Sequence, residues 1–580
     1  MPIPADRPHL KHWPARLPRE LAVPDTTLWF NLEVAAQRWP DKPAWSCLGH
    51  DWRWREVRRQ AEALAGWLQA QGVGRGDRVA LFMQNCPQFV VALYAVVRAD
   101  AVVVPVNPMN RADEFGHYIT DPDTKAVICG AELAEVVRQA DARLPEAQRL
   151  RALLVTGWDD VLGPERRIDP DLAVPPAMQA LLQAEPPLPE GATRWADALA
   201  AGLAPGPHLA RPDDLVLLPY TSGTTGLPKG CMHTHRTLMP NIVGGSLWSH
   251  VGAESVTLGV VPFFHITGMV YGVLAPAWSG ATVVVMPRWD RVLAGRLIAR
   301  HRVSHWTCIP TMIIDLLASP EAASLDLSSL RFLSGGGAAM PQAVAERLQR
   351  DFGLTFAEGY GLTETAAPSH ANPPERAKLQ CLGLPLFGTD ARVVDPVTLA
   401  ELPAGEVGEI VTCGPMLFTG YWKHRAATEA AFVELPGMPG RRFFRTGDLG
   451  RMDEEGYFFL TDRLKRMINA SGFKVWPSEV ELLLYRHPAV AEACVIGARD
   501  AYRGETVKAV IVLRAEARGQ VGEADIIAWA HEHMAAYKAP RQVEFVETLP
   551  KSGTGKVMWR LLQDHQRARE GEGEGGRERA

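Results

Sequence analysis

Short apolar runs of strand length alternate along this chain with stretches of helical pattern. Residues 78–83 (Arg-Val-Ala-Leu-Phe-Met) follow the turn Gly74-Arg75-Gly76-Asp77 and predict a buried strand. Residues 87–98 predict a helix and 101–106 a further strand. A third apolar run, 215–220, leads straight into a Gly-rich loop. Such alternation predicts an α/β architecture with largely parallel sheets. The Pro- and Ala-rich stretch 145–211 predicts a long surface excursion. After Arg463 the segments shorten: a helix from Pro477, a strand over 507–513, a helix over 523–535 and a strand over 543–546. That pattern predicts a small α+β domain. From His565 the chain is rich in Arg, Glu and Gly, which predicts a disordered tail.

Residues 255–287 contain no Asp, Glu, Lys or Arg, enough to span a bilayer. Gly259, Pro262, Gly268, Gly272, Pro276 and Gly280 interrupt that stretch. A strand over 257–261, a helix after Pro262 and a strand over 281–286 fit the interruptions better than a membrane span.

Composition narrows the classes. With 47 % hydrophobic and 22 % charged residues, the 580-residue chain can bury a large core, which excludes intrinsic disorder. The net charge of −5 comes without any strongly basic domain, so no nucleic-acid footprint is expected. The eight cysteines form no CxxC pair, and the N-terminus lacks the basic-then-apolar order of a signal peptide. Both features lead to the expectation of a reduced, cytoplasmic protein.

Four segments carry chemistry. Tyr220-Thr221-Ser222-Gly223-Thr224-Thr225-Gly226-Leu227-Pro228-Lys229-Gly230 places hydroxyls, glycines and a lysine directly after a strand. Glycines let backbone N–H groups converge on an anion, hydroxyls add donors and lysine adds charge, which makes a phosphate cradle. It is not a Walker A loop, because Pro228 precedes Lys229 and Gly230 follows it. Gly359-Tyr360-Gly361-Leu362-Thr363-Glu364-Thr365 offers a ring for stacking, a hydroxyl donor and a hard oxygen ligand suited to Mg²⁺. In Phe444-Arg445-Thr446-Gly447-Asp448, followed by Asp462-Arg463-Leu464-Lys465-Arg466, an acid after a turn can hold ribose hydroxyls. Leu549-Pro550-Lys551-Ser552-Gly553-Thr554-Gly555-Lys556-Val557 sets a lysine on a Gly-rich loop near the chain end. Taken singly, the last three also read as an ordinary turn, a solvated basic face and an exposed basic loop.

In this order and spacing, the four segments resemble the adenylate-forming superfamily of acyl-CoA synthetases, peptide-synthetase adenylation domains and beetle luciferases. The resemblance runs from about Leu28 to Leu562. It implies a large N-terminal domain of packed α/β subdomains (1–462), a small mobile α+β C-terminal domain (463–564) and the tail (565–580), with Lys465 as hinge. It also implies a two-step reaction. A carboxylate attacks the α-phosphorus of Mg-ATP, giving an acyl-adenylate and pyrophosphate, and a thiol then displaces AMP.

The implied roles follow residue by residue. Lys556 bridges the carboxylate and the α-phosphate, Thr363 contacts that phosphate and Glu364 holds Mg²⁺. Thr221, Ser222, Gly223, Thr224, Thr225, Gly226 and Lys229 handle the β- and γ-phosphates. Tyr360 packs on adenine with Gly336 opposite, while Asp448 and Arg463 hold the ribose. The loop Ser471-Gly472-Phe473-Lys474 shapes the channel for coenzyme A. Glu358 stands where many relatives carry Gln or Asn near the adenine amine.

The acyl pocket of the family lies near 262–269 and 334–341, with His265 as a gate beside the carboxylate. Residues 262–269 contain no acid to pair with a substrate ammonium, and an unpaired buried ammonium is strongly disfavoured. An amino-acid substrate and a peptide-synthetase role are therefore not expected. The small residues 335–339 leave room for a long or bulky acyl group, and Phe263, Phe264, Met269 and Tyr271 supply apolar contact. These segments most resemble those of fatty-acyl-CoA synthetases, which implies a medium- or long-chain fatty acid as the substrate, with an aryl acid of benzoate or cinnamate type as the alternative. A non-catalytic acyl- or nucleotide-binding relative is the alternative of another class. The expected partners are the acid, ATP and CoA, with room for peripheral membrane contact. His233-Thr234-His235 lacks a third metal ligand nearby, so a structural role is expected for both histidines.

Overall fold

The computed structural model describes residues 7–165, 167–221, 227–319, 325–463, 466, 468–470, 473–500, 504–552 and 557–575. The chain divides into two compact units, one of Met1–Asp390 with Cys413–Val433, the other of Ala391–Thr412 with Glu434–Ala580.

The first unit is built on two large sheets. One runs in the order His233–Thr234, Leu215–Leu217, Val102–Pro105, Arg78–Phe82, Thr124–Gly130, Ala152–Thr156, Thr193–Arg194. All its pairings are parallel except the first. The other has nine strands, in the order Leu384–Pro385, Ala367–Ala371, Phe356–Leu362, Phe332–Gly335, His305–Cys308, Val256–Gly259, Thr282–Val285, Pro43–Cys47, His50–Arg53. Its interior is parallel and its two edges are antiparallel. Runs such as Val102-Val103-Val104 are buried on both faces, as parallel strands covered by helices must be. The helix Pro87–Arg98 starts on a proline whose missing N–H costs nothing in the first turn. It is buried from Pro87 to Val97 and packs on the strands Arg78–Phe82 and Pro43–Cys47, so the two sheets share one core.

Two expectations change. The stretch 145–211 is not wholly an excursion. Its run Ala152–Thr156 takes a place in the seven-stranded sheet beside Thr124–Gly130, and Trp195 is fully buried. The prolines and alanines on either side mask that short apolar strand. Residues 255–287 form the strand Val256–Gly259, a helical passage from Ile266 to Ser279 with a π-turn at Val270–Leu274, and the strand Thr282–Val285. Among the described residues no helix is long and apolar enough to cross a membrane.

The second unit opens with an antiparallel group, Asp390–Val394, Gly408–Cys413, Arg442–Met452 and Phe458–Arg463. A small α+β domain follows. Its sheet joins Phe473–Val475, Ile468–Ala470, Gly504–Leu513 and Val490–Asp500, with Gln542–Phe545 added parallel to Gly504–Leu513. The helices Pro477–Leu484 and Glu523–His533 cover its core. The last helix, Trp559–Gly575, runs into the segment for which composition predicts disorder. Side-chain bonds tie it down: Gln563 exchanges two hydrogen bonds with the Gly497 backbone, Glu570 accepts from the Arg499 N–H, and Lys508 donates to Gln566.

Candidate active site

The Gly-rich segment begins and ends in a two-stranded hairpin. Tyr220–Thr221 pairs antiparallel with Lys229–Gly230, which sets Thr221 opposite Lys229. Residues 222–226, with Ser222, Gly223, Thr224, Thr225 and Gly226, lie outside the described residues. The hairpin is anchored on both sides. The Tyr220 hydroxyl donates to Asp121 Oδ2 at 2.6 Å, and the Trp422 and Met232 N–H groups donate to Gly230 O and Gly420 O. Those last two bonds bring Tyr421 to the site, a residue the sequence reading did not single out. Lys229 Nζ lies 5.5 Å above the Tyr421 ring, and the Tyr421 hydroxyl donates to Glu364 Oε1 at 2.8 Å. Burial, and then the Glu364 charge, push the Tyr421 phenol up, so it stays a donor. Its only sequence signal is an aromatic pair after Gly420.

The second cluster sits at the C-terminal ends of the strands Phe332–Gly335 and Phe356–Leu362, where Gly335 is paired with Glu358. The main chains meet so closely there that side chains are excluded. A Cβ on Gly335 would stand 1.8 Å from Cys308 O, one on Gly336 2.2 Å from Gly359 O, and one on Gly361 1.8 Å from Ala367 O. Gly336 thus touches the strand that carries Tyr360. The Tyr360 ring is buried, 5.6 Å from His370.

The turn Thr363–Thr365 is held from below. His233 Nε2 donates to Thr363 O at 2.8 Å, and Asn241 Nδ2 donates to Thr365 O at 2.9 Å and Ala366 O at 2.7 Å. A carbonyl can only accept, so the proton sits on Nε2. Burial lowers the His233 pKa to about 4, so the ring is neutral. The turn needs the support: Ala366 and Ala367 adopt φ of 51° and 80°, in the left-handed region that L-residues avoid. His235 Nδ1 accepts from the Leu28 N–H at 3.0 Å. Both histidines of that segment are therefore committed to structure.

Glu358 is buried, and its Oε1 accepts from the Gln380 N–H at 2.8 Å. Burial pushes its pKa up to about 8, so the carboxyl is protonated at neutral pH and can donate as well as accept. His265 caps the helix Ile266–Met269, with Nδ1 accepting from the Thr267 N–H at 3.3 Å. Near it an apolar cleft of about 40 Å³ lies between the helix His235–Trp248 and the nine-stranded sheet, lined among others by Val261, Thr267, Gly268 and Tyr271. No Asp, Glu, Lys or Arg lines it.

In the second unit, Asp448 is buried and stands directly across the hairpin ladder from Arg463. Its N–H donates to Thr446 Oγ1 at 3.1 Å. Glu409 holds the preceding turn, accepting from Arg445 at 2.9 Å and from the Gly447 N–H at 3.2 Å. Gly447 has φ of 69°, a conformation that suits glycine. Phe473 and Lys474 lie on the short strand Phe473–Val475, Lys474 opposite Asn469. The side chains of Arg463, Phe473 and Lys474, and the whole of Lys465, Ser471, Gly472 and Lys556, lie outside the described residues.

Among the described residues no group of three or more His, Cys, Asp or Glu is placed to hold a metal. In the turn Thr363–Thr365, Glu364 offers a hard carboxylate. That fits Mg²⁺, which typically takes one or two carboxylates together with substrate phosphates.

The chain is similar to known proteins over nearly its whole length. The pattern of the AMP-binding enzyme family matches residues 32–422, and that of the AMP-binding enzyme C-terminal domain matches 479–556. A long-chain-fatty-acid–CoA ligase of Bacillus subtilis (strain 168) is 34 % identical over 576 residues, covering 97 % of this chain and 98 % of its own. A feruloyl-CoA synthase of Amycolatopsis sp is 35 % identical over 508 residues, covering 87 % and 91 %. The crystal structure of ATP-bound MatB from Rhodopseudomonas palustris superposes with a TM-score of 0.78 at 28 % identity, covering 92 % of this chain and 99 % of that one.

Proposed function

The chain belongs to the AMP-binding enzyme family, as an AMP-forming acid–CoA ligase, and on that premise we propose that its acid is a medium- or long-chain fatty acid. The observation that carries this reading is the apolar cleft near His265, whose lining holds no charged side chain. An alkyl chain gains about 0.8 kcal/mol per methylene buried in such a space. A substrate ammonium would be left unpaired there.

A carboxylate is a poor electrophile, and joining it to AMP gives it a good leaving group. Charge builds on the α-phosphate in the in-line transition state, so fixed donors at that point lower the barrier. Thr363 supplies one such donor on a turn that His233 and Asn241 keep in place. Lys556 supplies a second, bridging carboxylate and phosphate. Thr221, Lys229 and the loop between them receive the β- and γ-phosphates. Glu364, oriented by Tyr421, would hold Mg²⁺, which supplies charge neutralisation between phosphates. Tyr360 and Gly336 flank adenine, and Asp448 and Arg463 take the ribose. The 471–474 loop borders the thiol's approach in the second half-reaction.

The test is carboxylate-dependent ATP–pyrophosphate exchange, followed by CoA consumption, over octanoate, palmitate, benzoate and cinnamate. The expected order puts palmitate or octanoate at least tenfold above the aromatic acids in kcat/KM. Turnover of the aromatic acids alone would establish an aryl-acid ligase instead. Absence of exchange with every acid would leave a binding protein.

A further inference from the structure

We infer that His117, on the helix Ala112–Thr120, is a positioning residue for the triphosphate: it fixes the Gly-rich hairpin so that Thr221 and Lys229 are in place before the nucleotide arrives. The inference rests on the assignment of that hairpin to the β- and γ-phosphates and names what sets its position. It does not depend on which acid the enzyme takes.

A hairpin this short cannot hold itself. It pairs only Tyr220–Thr221 with Lys229–Gly230, and a two-stranded ribbon alone is at best marginally stable in water. Pro228, just before the return strand, has no N–H, so its main chain can be gripped only at the carbonyl. His117 takes that grip. Its Nε2 donates to Pro228 O at 2.8 Å, one residue before Lys229. The same ring meets the Tyr220 ring edge-on at 5.6 Å, so one side chain reaches both arms of the hairpin. One helical turn further on, Asp121 Oδ2 accepts from the Tyr220 hydroxyl at 2.6 Å.

The helix itself is firmly mounted. The Arg111 N–H donates to Glu114 Oε2 at 2.8 Å and closes its N-terminus. Phe115 and Ile119 are buried, and the Phe115 ring lies 4.5 Å from that of Phe82 in the seven-stranded sheet. His117 and Asp121 repeat that spacing two residues on, about 200° round the helix, which turns them from the core face to the hairpin. The carbonyl of Asp121 also accepts from Trp422 Nε1 at 3.1 Å and Lys423 Nζ at 2.6 Å. The end of one helix thus holds the hairpin together with the segment that brings Tyr421 to Glu364.

The consequence is selective. Without the His117 bond, the hairpin has to be ordered at the moment phosphate binds, and binding bears that cost. It falls on ligands that carry the β- and γ-phosphates, which are ATP and pyrophosphate. It does not fall on the acyl-adenylate, which carries the α-phosphate alone, nor on the free acid or CoA. A residue that merely supports the fold would weaken every step alike.

The experiment measures ATP–pyrophosphate exchange by the full-length enzyme, with whichever acid of the panel above exchanges fastest, and separately CoA attack on the supplied acyl-adenylate. His117→Phe keeps a ring against Tyr220 and removes the donor. It should raise KM for ATP and for pyrophosphate together, about fivefold, the worth of one neutral hydrogen bond. KM for the acid and the rate of CoA attack should stay within twofold, and the latter also reports that the variant is folded. His117→Gln, which carries a donor at similar reach, should restore both KM values to within twofold of the wild type. Tyr220→Phe, which removes the bond to Asp121 from the other arm, should shift the same two constants in the same direction. Unchanged KM values for ATP and pyrophosphate in both His117→Phe and Tyr220→Phe would overturn the inference. So would equal losses in the two half-reactions, or a glutamine variant no better than the phenylalanine one. Lys229→Ala separates this from the reading beneath it. If that variant raises both constants at least tenfold while His117→Phe leaves them unchanged, only the role of His117 falls. If Lys229→Ala leaves them unchanged, the hairpin does not take these phosphates, and the inference falls with that reading.

Discussion

Replacing Glu358 by Gln tests the electrostatics of the nucleotide edge of the sheet. The carboxyl is only 5 % exposed, and burial raises its pKa from 4.5 to about 8. The folded chain therefore holds a proton that the unfolded chain releases above about pH 4.5. Between those two values the unfolded state binds fewer protons, so this group makes stability fall as pH rises, and the fall is complete once pH passes the folded pKa. Each pH unit in that window is worth about 1.4 kcal/mol, so the loss from pH 5 to pH 8 reaches about 4 kcal/mol as an upper bound. Glutamine keeps the shape, and its carbonyl can still accept from the Gln380 N–H. The variant should match the wild type near pH 5 and become progressively more stable relative to it up to pH 8. Thermal unfolding of the two proteins across that range, in matched buffers, reads the difference directly. If the two curves stay parallel from pH 5 to pH 8, Glu358 does not carry a buried proton and the reasoning fails.

Tyr421→Phe removes the hydrogen bond that orients Glu364, and a bond to a charged group is worth about 1.5–3 kcal/mol. Pyrophosphate exchange should drop at least tenfold, with a higher Mg²⁺ concentration needed for half-maximal rate; an unchanged Mg²⁺ response would detach Tyr421 from the metal. Gly361→Ala drives a Cβ into Ala367 O and should lower the unfolding midpoint, at a cost of about 1–3 kcal/mol or more, while Gly252→Ala, with open space around it, should not. Lys556→Ala should abolish adenylation yet leave CoA attack on a supplied acyl-adenylate within a few fold; equal loss in both half-reactions, measured separately, would contradict its role.

Local pattern made much of the fold legible. The helix Pro87–Arg98 and the strands Arg78–Phe82 and Val102–Pro105 announce themselves, because a proline or a Gly turn punctuates each apolar run. The glycines around 335, 336 and 361 were visible as small residues. Their reason, contact of one main chain with another at the end of a sheet, needs the pairing of strands far apart in sequence. Tyr421 was missed for the same reason: nothing near residue 421 points to residue 364. The supports of the Thr363–Thr365 turn, His233 and Asn241, come from a segment more than a hundred residues earlier. Composition misled where short elements are held by their partners, as at Ala152–Thr156 and at the last helix, whose polar residues bond the backbone of Gly497 and Arg499.

The path of the chain between the two units limits how the protein can be cut. It crosses between them three times, after Asp390, Thr412 and Val433, and the short return 413–433 carries Tyr421 back to Glu364. A fragment ending at the first crossing would keep the Gly-rich hairpin but lose the segment Gly420–Trp422 that bonds its backbone, and the hydroxyl on Glu364. Chimeras with relatives therefore cannot exchange the smaller unit as a simple tail. The loop that returns must travel with the larger one, or the graft will separate a carboxylate from the group that aims it.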